Sequence, residues 1–407
     1  MIEIMDSSFF RNNRERLKQL FTGTAPIVIA GNGLLQRNSD TNFRFRQDSS
    51  FWYLTGLNEP DLVLVMDKGK EYVIIPDRDE SRQAFDGSIE YQEIVSISGI
   101  DQVLEEDAGW RQLQTRLKRV KHVATLGASP TYSKRHGIYS NPARARLIRK
   151  LKAKNDSLEL LDLRTHLSLM RAIKLPEEIA EIKSAINITQ TALRNLSQEG
   201  WSRFNYEYEV EATITSAFRS INVDHAYQPI IASGKNACTL HYTKNSGKIN
   251  KSDLILLDVG AEVNHYASDI TRTYAIGEPS KRQKQVYETV IEVQEYAINL
   301  LKVGVDLRSY ESDVYQFMGE KLRELGLIKT IDRDSVRQYC PHATSHFLGL
   351  DVHDVGDYSK PLEAGMVLTV EPGIYIPEES IGVRVEDNIL ITPGGVDVLS
   401  SKAPQLL

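Results

Sequence analysis

The sequence predicts two domains of different class, an α/β domain over residues 1–170 and an α+β domain over residues 171–407. Three observations carry this. In the first part, short β-branched runs alternate with stretches of helical periodicity. In the second, two long amphipathic stretches lie among runs of period-two alternation. Between the parts, Arg171-Ala-Ile-Lys-Leu-Pro-Glu-Glu-Ile reads as a helix start, because Pro176 suits the first helical turn and Glu177 and Glu178 complement its positive end.

Taken in order, residues 6–21 are polar with Phe9, Phe10, Leu17 and Leu20 at helical spacing. Strands are expected at Ala25–Ala30, Asp61–Met66, Glu71–Ile75 and His122–Leu126, set apart by turn signals such as Asn58-Glu-Pro and Asp67-Lys-Gly. Helices are expected around 102–118 and 141–153. After Pro176, Ile179, Ile182, Ile186, Leu193 and Leu196 form one apolar stripe, which Gly200 can close. Val286, Val290, Val293, Ala297 and Leu300 repeat the period over 281–303, before Gly304. Strands are expected at 254–259, 266–276, 367–371 and 383–391, giving long helices on a largely antiparallel sheet.

Composition narrows the function. Hydrophobic residues make up 41% and charged residues 26%, as in an ordinary globular chain. A net charge of −6 argues against nucleic-acid binding, and the basic run Arg144, Arg146, Arg149, Lys150, Lys152 and Lys154 reads as a solvated helix face. No apolar run approaches the ~18 residues of a membrane span. The N-terminus lacks the basic and apolar regions of a secretion signal. With only Cys238 and Cys340, no disulfide framework is implied and a cytoplasmic setting is expected.

The segment HATSHFLGLDVHDVG (342–356) holds three of the nine histidines. On a helix, His342 and His346 would share a face as in the zinc motif H-E-x-x-H, but Ala343 stands where that motif needs its Glu. The acids offer another route. Asp258 lies in an apolar strand and Asp269 opens the returning one. A turn near Val263-Asn264 would set the two carboxylates across one ladder, where they repel and lose solvation. A bound cation would remove both problems, as would a turn Asp paired with a solvent-facing one. Glu371 ends a β-branched strand. In Gly382-Val-Arg-Val-Glu-Asp-Asn, Val383 and Val385 face one way and Arg384 and Glu386 the other, so Arg384 could pair with Glu386. Four strands each delivering an acid, with one histidine, nevertheless suffice for a dinuclear site. Hard oxygen donors suit Mn2+ better than structural Zn2+.

The ordered set Asp258, Asp269, His346, Glu371 and Glu386 resembles the metal set of the pita-bread metallopeptidases, which include methionine aminopeptidases, prolidases and Xaa-Pro aminopeptidases. The runs SDITRT (268–273), EPGIY (371–375) and GVRVEDN (382–388) match it. ASGKNACTLHY (232–242) and the 342–356 segment look like the proline-specific branch. FRFRQDSSFWYLTGLNEPDLVLVM (43–66) is similar to the N-terminal domain of bacterial aminopeptidase P, so the resemblance covers residues 40–395. Ser345 fits aminopeptidase P, where prolidases usually carry Gly. Ala343 departs from a common Gly, and Phe85 stands where a Trp of the family often reaches a neighbouring subunit's site.

The resemblance implies an α/β N-terminal domain joined to a pita-bread catalytic domain. It implies a metal-dependent exopeptidase that cuts peptides after the residue preceding a penultimate proline, with two divalent ions, Mn2+ foremost. A homodimer or homotetramer is implied, with no nucleic-acid or membrane partner. Prolidase activity on Xaa-Pro dipeptides and a non-catalytic binding module are the alternatives. Asp258 would bind one ion, His346 and Glu371 the other, with Asp269 and Glu386 bridging. A hydroxide between the ions would attack, and Glu371 would take up its proton. His241 and His353 would stabilise the oxyanion, and His342 would line the pocket for the residue after the cut bond. Arg384 would hydrogen-bond the metal carboxylates or the substrate, and Tyr375 would support the substrate side. His225 and His265 read as loop or core histidines, and nothing makes Cys340 nucleophilic.

Overall fold

The computed structural model describes residues 5–128, 137–405 and 407, so the first four residues of the N-terminal stretch read above lie outside it. The chain divides into two compact units, Met1–Met170 and Arg171–Leu407. No helix among the described residues is long and apolar enough to cross a membrane.

The first unit is built on a mixed sheet. Its strands are β1 (Ile27–Ala30), β4 (Val63–Asp67), β5 (Lys70–Ile75), β6 (Gln102–Glu105), β7 (His122–Thr125) and β8 (Glu159–Asp162), while β2 (Gln36–Asn38) and β3 (Thr41–Asn42) form a separate exposed hairpin. The spatial order is β6-β5-β4-β1-β7-β8; β1, β4 and β5 pair antiparallel and the outer pairs are parallel. Trp110, Leu113 and Leu117 from helix Glu106–Leu117 and Leu147 and Leu151 from helix Ala143–Lys154 pack on Val28, Val65 and Val123. Two expectations change. The helix expected from 102 starts four residues later, because Gln102–Glu105 adds to the sheet beside β5. The basic run is only partly a solvated face: Arg144 pairs with Asp48 at 2.6 Å, Arg146 with Asp61 at 3.4 Å and Lys150 with Glu106 at 2.6 Å.

The second unit carries β9 (Asp224–His225), β10 (Ile230–Ser233), β11 (Leu254–Val259), β12 (Ala261–Val263), β13 (Tyr266–Ala267), β14 (Ile270–Ala275), β15 (Val367–Val370), β16 (Gly373–Ile376), β17 (Ile381–Arg384), β18 (Asp387–Thr392) and β19 (Gly395–Val398). Every pairing among them is antiparallel: β10-β11-β14, β13-β12-β9, β15-β18-β19 and β16-β17. Helix Lys281–Leu300 opens with a reciprocal cap, in which Ser280 N–H donates to Gln283 and Gln283 N–H donates back to the Ser280 hydroxyl. Its Val286, Val290, Val293 and Ala297 meet Val314, Met318 and Leu322 of helix Leu307–Glu324, together with Val383, Val385 and Ile389. Each fully buried Val or Ile here contributes about 1.5–3 kcal/mol.

Two strands read as continuous are broken. The run 266–276 leaves the ladder at Ser268-Asp269, and 383–391 leaves it at Val385-Glu386. Ser268 turns its hydroxyl to Thr189 (2.8 Å), and the Asp269 N–H donates to the Asn388 side chain (3.2 Å) instead of a strand partner. The turn between β12 and β13 falls at Asn264-His265, both with positive φ (45° and 64°), a mirror-image hairpin turn. Asp258 consequently stands opposite Thr271, not opposite Asp269 as the sequence pattern suggested.

The strand break needs close backbone approach. A Cβ on Gly260 would sit 1.9 Å from the Ser268 carbonyl oxygen and 2.8 Å from the Tyr227 ring. Backbone on one side cannot yield as a flexible side chain can. Gly260→Ala should therefore destabilise the second unit by about 3 kcal/mol or more; an unchanged denaturation midpoint in urea would show that the strands can separate freely.

Candidate metal centre

Asp258 comes from inside β11; Asp269, Glu371 and Glu386 come from strand ends and breaks. At a break the backbone no longer alternates through the ladder, so a side chain can be aimed independently of its neighbours. Each break is held by named bonds. The Asn388 side chain accepts from the Asp269 N–H and donates to the Asp269 carbonyl. The Glu386 N–H donates to the Thr271 carbonyl (3.0 Å), and the Thr271 hydroxyl donates to Glu386 Oε2 (2.6 Å). Beneath them Arg272, 1% exposed, donates to the Glu386 carbonyl (2.6 Å) and to Asp387 Oδ1 (2.7 Å).

The histidine segment is not helical. It lies along β15: the Thr369 N–H donates to the His346 carbonyl, the Glu371 N–H to the Thr344 carbonyl and the Leu348 N–H to the Val367 carbonyl. Glu311 accepts from the N–H groups of Thr344 and Ser345, and Tyr310 meets the Ser345 hydroxyl at 2.9 Å. Further along, Asp354 is held by Arg171 (2.5 Å) and Lys174 (3.2 Å) and Asp351 by Arg171 (2.7 Å). His346 Nδ1 is 3.0 Å from the Phe347 carbonyl, which fixes the proton on Nδ1. Nε2 is left facing Asp269 Oδ2 and Glu371 Oε1, both at 3.4 Å. Donor atoms of Asp269, His346 and Glu386 all lie within 4.8 Å of one another.

Arg384 pairs with Asp258, not with Glu386: Nη2 is 2.5 Å from Asp258 Oδ2. Its Nε donates to Thr271 (3.1 Å) and Nη1 to the Tyr375 hydroxyl (2.9 Å). Tyr375, 2% exposed, lies 2.8 Å from His342 Nε2, while His342 Nδ1 faces the Ala343 carbonyl at 2.9 Å. Burial and then Arg384 push the His342 pKa down to about 4, so the ring is neutral and accepts from Tyr375. Tyr375, expected to support the substrate side, has its hydroxyl bonded to Arg384 and His342. His353 is exposed, its ring edge-on to His346 at 4.4 Å. His241 is exposed near His342. His225 is half-buried in β9, its pKa lowered to about 4 by burial, and His265 is a turn residue.

Tyr227 was not foreseen. Its hydroxyl is 2.6 Å from Oδ1 of Asp258 and 2.6 Å from Oδ1 of Asp269. Burial and then these two acids hold the phenol well above its ordinary pKa, so it stays a donor. Thr271, Asn388 and Glu311 were missed as well. Their only sequence signal was adjacency to the acids or the histidines, except for Glu311, which had none.

The donors fit a divalent cation. Burial, first, raises the pKa of Asp258, Glu371 and Glu386; mutual repulsion adds to it, and Arg384 opposes it at Asp258 and Glu371. Burial works against the His346 imidazolium, yet Asp269 and Glu386 still draw its pKa up. Acids pushed toward the neutral form beside a base pulled toward the charged form mark a cavity short of positive charge. Oxygen donors with one imidazole suit a hard or borderline divalent ion.

Comparison with known proteins agrees with this chemistry. Metallopeptidase family M24 matches residues 180–393, and the aminopeptidase P N-terminal domain matches residues 10–124. The chain is 35% identical to the Xaa-Pro aminopeptidase of Haemophilus influenzae, over 97% of this chain and 94% of that one. It is similar to the structure of a putative aminopeptidase P from Bacillus anthracis, with TM-score 0.91 and 31% identity over 98% and 96% of the two chains. Zn-substituted aminopeptidase P from E. coli in complex with product superposes with TM-score 0.87, at 30% identity over 99% and 97%.

Raised carboxylate pKa values have a defined sign. In metal-free protein the folded state binds more protons than the unfolded chain above the ordinary carboxylate range, so the cluster's contribution to stability falls as pH rises. Metal-free Glu386→Gln should therefore gain in Tm over the parent as pH goes from 5 to 8 (roughly, from the ordinary carboxylate range upward). With a saturating divalent ion the order should invert. Parallel pH profiles of the two metal-free proteins would contradict the charge-crowding account.

Proposed function

The chain belongs to metallopeptidase family M24 and carries the N-terminal domain of aminopeptidase P, and on that premise we propose that it hydrolyses the bond between the N-terminal residue and a penultimate proline of peptides. The observation that carries this is the convergence of Asp269, Glu371 and Glu386 on His346, with Asp258 joined to Asp269 through the Tyr227 hydroxyl, in a chain similar end to end to Xaa-Pro aminopeptidases.

Asp258 would hold one ion, His346 and Glu371 a second, and Asp269 and Glu386 both; oxygen-rich donors make Mn2+ the expected metal. Bound there, the ions would activate water and polarise the scissile carbonyl. The chain's own residues do the rest. The bond before proline lacks an N–H, so substrate cannot be gripped there as an ordinary strand and side chains must orient it. His353, against His346, and His241, near His342, are both exposed and can donate to the developing oxyanion. Neutral His342, held by Tyr375, would line the pocket for the residue after the cut bond. Glu371 would take up the proton, and Arg384 holds Asp258 by its Oδ2. The assembly would be a homodimer or homotetramer, testable by light scattering. Two unbridged cysteines support a cytoplasmic location.

A prolidase shares these motifs and differs in substrate length. Purified protein with Mn2+ should release arginine from Arg-Pro-Pro; cleavage of Gly-Pro with Arg-Pro-Pro left intact would assign it to prolidase instead. Mn2+, Co2+ and Zn2+ compared on the same peptide should rank Mn2+ first. Asp269→Asn should lose more activity than the roughly 10–100-fold typical of residues that only support ligands. Near-normal turnover would refute its bridging role.

A further inference from the structure

Among the described residues, Tyr227 is the one side chain whose hydroxyl lies within hydrogen-bond distance of both Asp258 and Asp269. It stands between β9 and β10, in a segment tied to the site by the Ala226 N–H, which donates to the Gly260 carbonyl at 2.8 Å. The missing Cβ of Gly260 leaves the notch that its ring occupies. Three residues on, Ile230 pairs with Asp258 in the ladder. Ring and backbone are thus located by features independent of the two acids.

The two carboxylates depend on this hydroxyl unequally. Asp258 has Arg384 on Oδ2 and Tyr227 on Oδ1. Asp269 has its backbone clamped on both sides by Asn388, and its Oδ2 faces His346. Asp269, His346 and Glu386 already form a compact donor set. Remove the Tyr227 hydroxyl and that set loses one contact at Asp269 Oδ1 but keeps the Asn388 clamp, while Asp258 is left to pivot about one ion pair.

We propose that Tyr227 is a positioning residue that couples Asp258 to Asp269 and thereby sets the affinity for the second of two metal ions, leaving the first nearly untouched. One phenol proton serves two carboxylates, so it holds their Oδ1 atoms together while leaving lone pairs on both acids for metal. This rests on the dinuclear reading proposed above.

Calorimetric titration of the metal-free full-length protein with Mn2+ tests it. The parent should bind two ions. Tyr227→Phe, which keeps the ring in its notch, should bind the first with parental affinity and the second roughly 10–100-fold more weakly. Two unchanged affinities, or two affinities weakened alike, would overturn the proposal while leaving the dinuclear site standing. A parent that binds no Mn2+ would instead overturn the site reading itself. Metal-free circular dichroism and melting of the variant should match the parent. A variant that no longer folds would also count against the proposal, since a hydroxyl that only tunes an ion site is dispensable to the fold.

Discussion

Like charges crowded into a small, poorly hydrated space are the constraint on which the second unit is arranged. Asp258, Glu371 and Glu386 lie where burial already disfavours the ionised form, and one another's charge and that of Asp269 add to the cost. Arg384 answers part of that charge, by an ion pair with Asp258 and at longer range at Glu371. A protein selected only for stability would replace such a cluster with apolar side chains. Keeping it makes sense where the missing positive charge comes from outside the chain.

The surrounding fold consists largely of devices that keep these acids in place. Regular strands would have alternated them in and out of the site, so the ladder stops at Ser268-Asp269 and at Val385-Glu386. Backbone groups released by the stops are taken up by the Asn388 side chain for Asp269 and, for Glu386, by the Thr271 carbonyl and the Arg272 guanidinium. Glu311 does the same for the segment that presents His346. A buried polar network of this kind is stable only if its members are satisfied, which makes it rigid as well as expensive to alter.

Much of this was legible in the sequence. The helix over 176–199 is announced by Pro176, Glu178 and an unbroken apolar stripe, and Val383 and Val385 are buried opposite Arg384 and Glu386 as period-two alternation requires. Asp269, Glu371 and Glu386 come together at His346, with Asp258 linked to Asp269 through Tyr227, since an acid in an otherwise apolar run is tolerated only where a positive charge or a hydrogen-bond donor comes to it. What stayed hidden depends on register and on breaks. Alternation predicts a continuous strand through Asp269 and Glu386, and nothing local in SDITRT or VRVEDN signals that side chains from the other segment will claim the backbone there. The same blindness set Asp258 opposite Asp269, when a two-residue turn and Gly260 place it opposite Thr271. Tyr227, in an unremarkable loop, could not be singled out without knowing which strand β10 pairs with.

The candidate ligands run from Asp258 in β11 to Glu386, just before β18, and the clamp on Asp269 is a side chain of β18 itself. During synthesis, the early acids emerge long before Asn388, Thr369 and Glu386 exist to orient them. An extended chain offers only scattered carboxylates, whose mutual approach must first overcome loop-closure entropy. Ion selection is therefore deferred until the C-terminal hairpins have docked. The nascent polypeptide is a poor chelator, and the choice of metal is made by a finished cavity, at whatever free-ion concentrations prevail where folding ends.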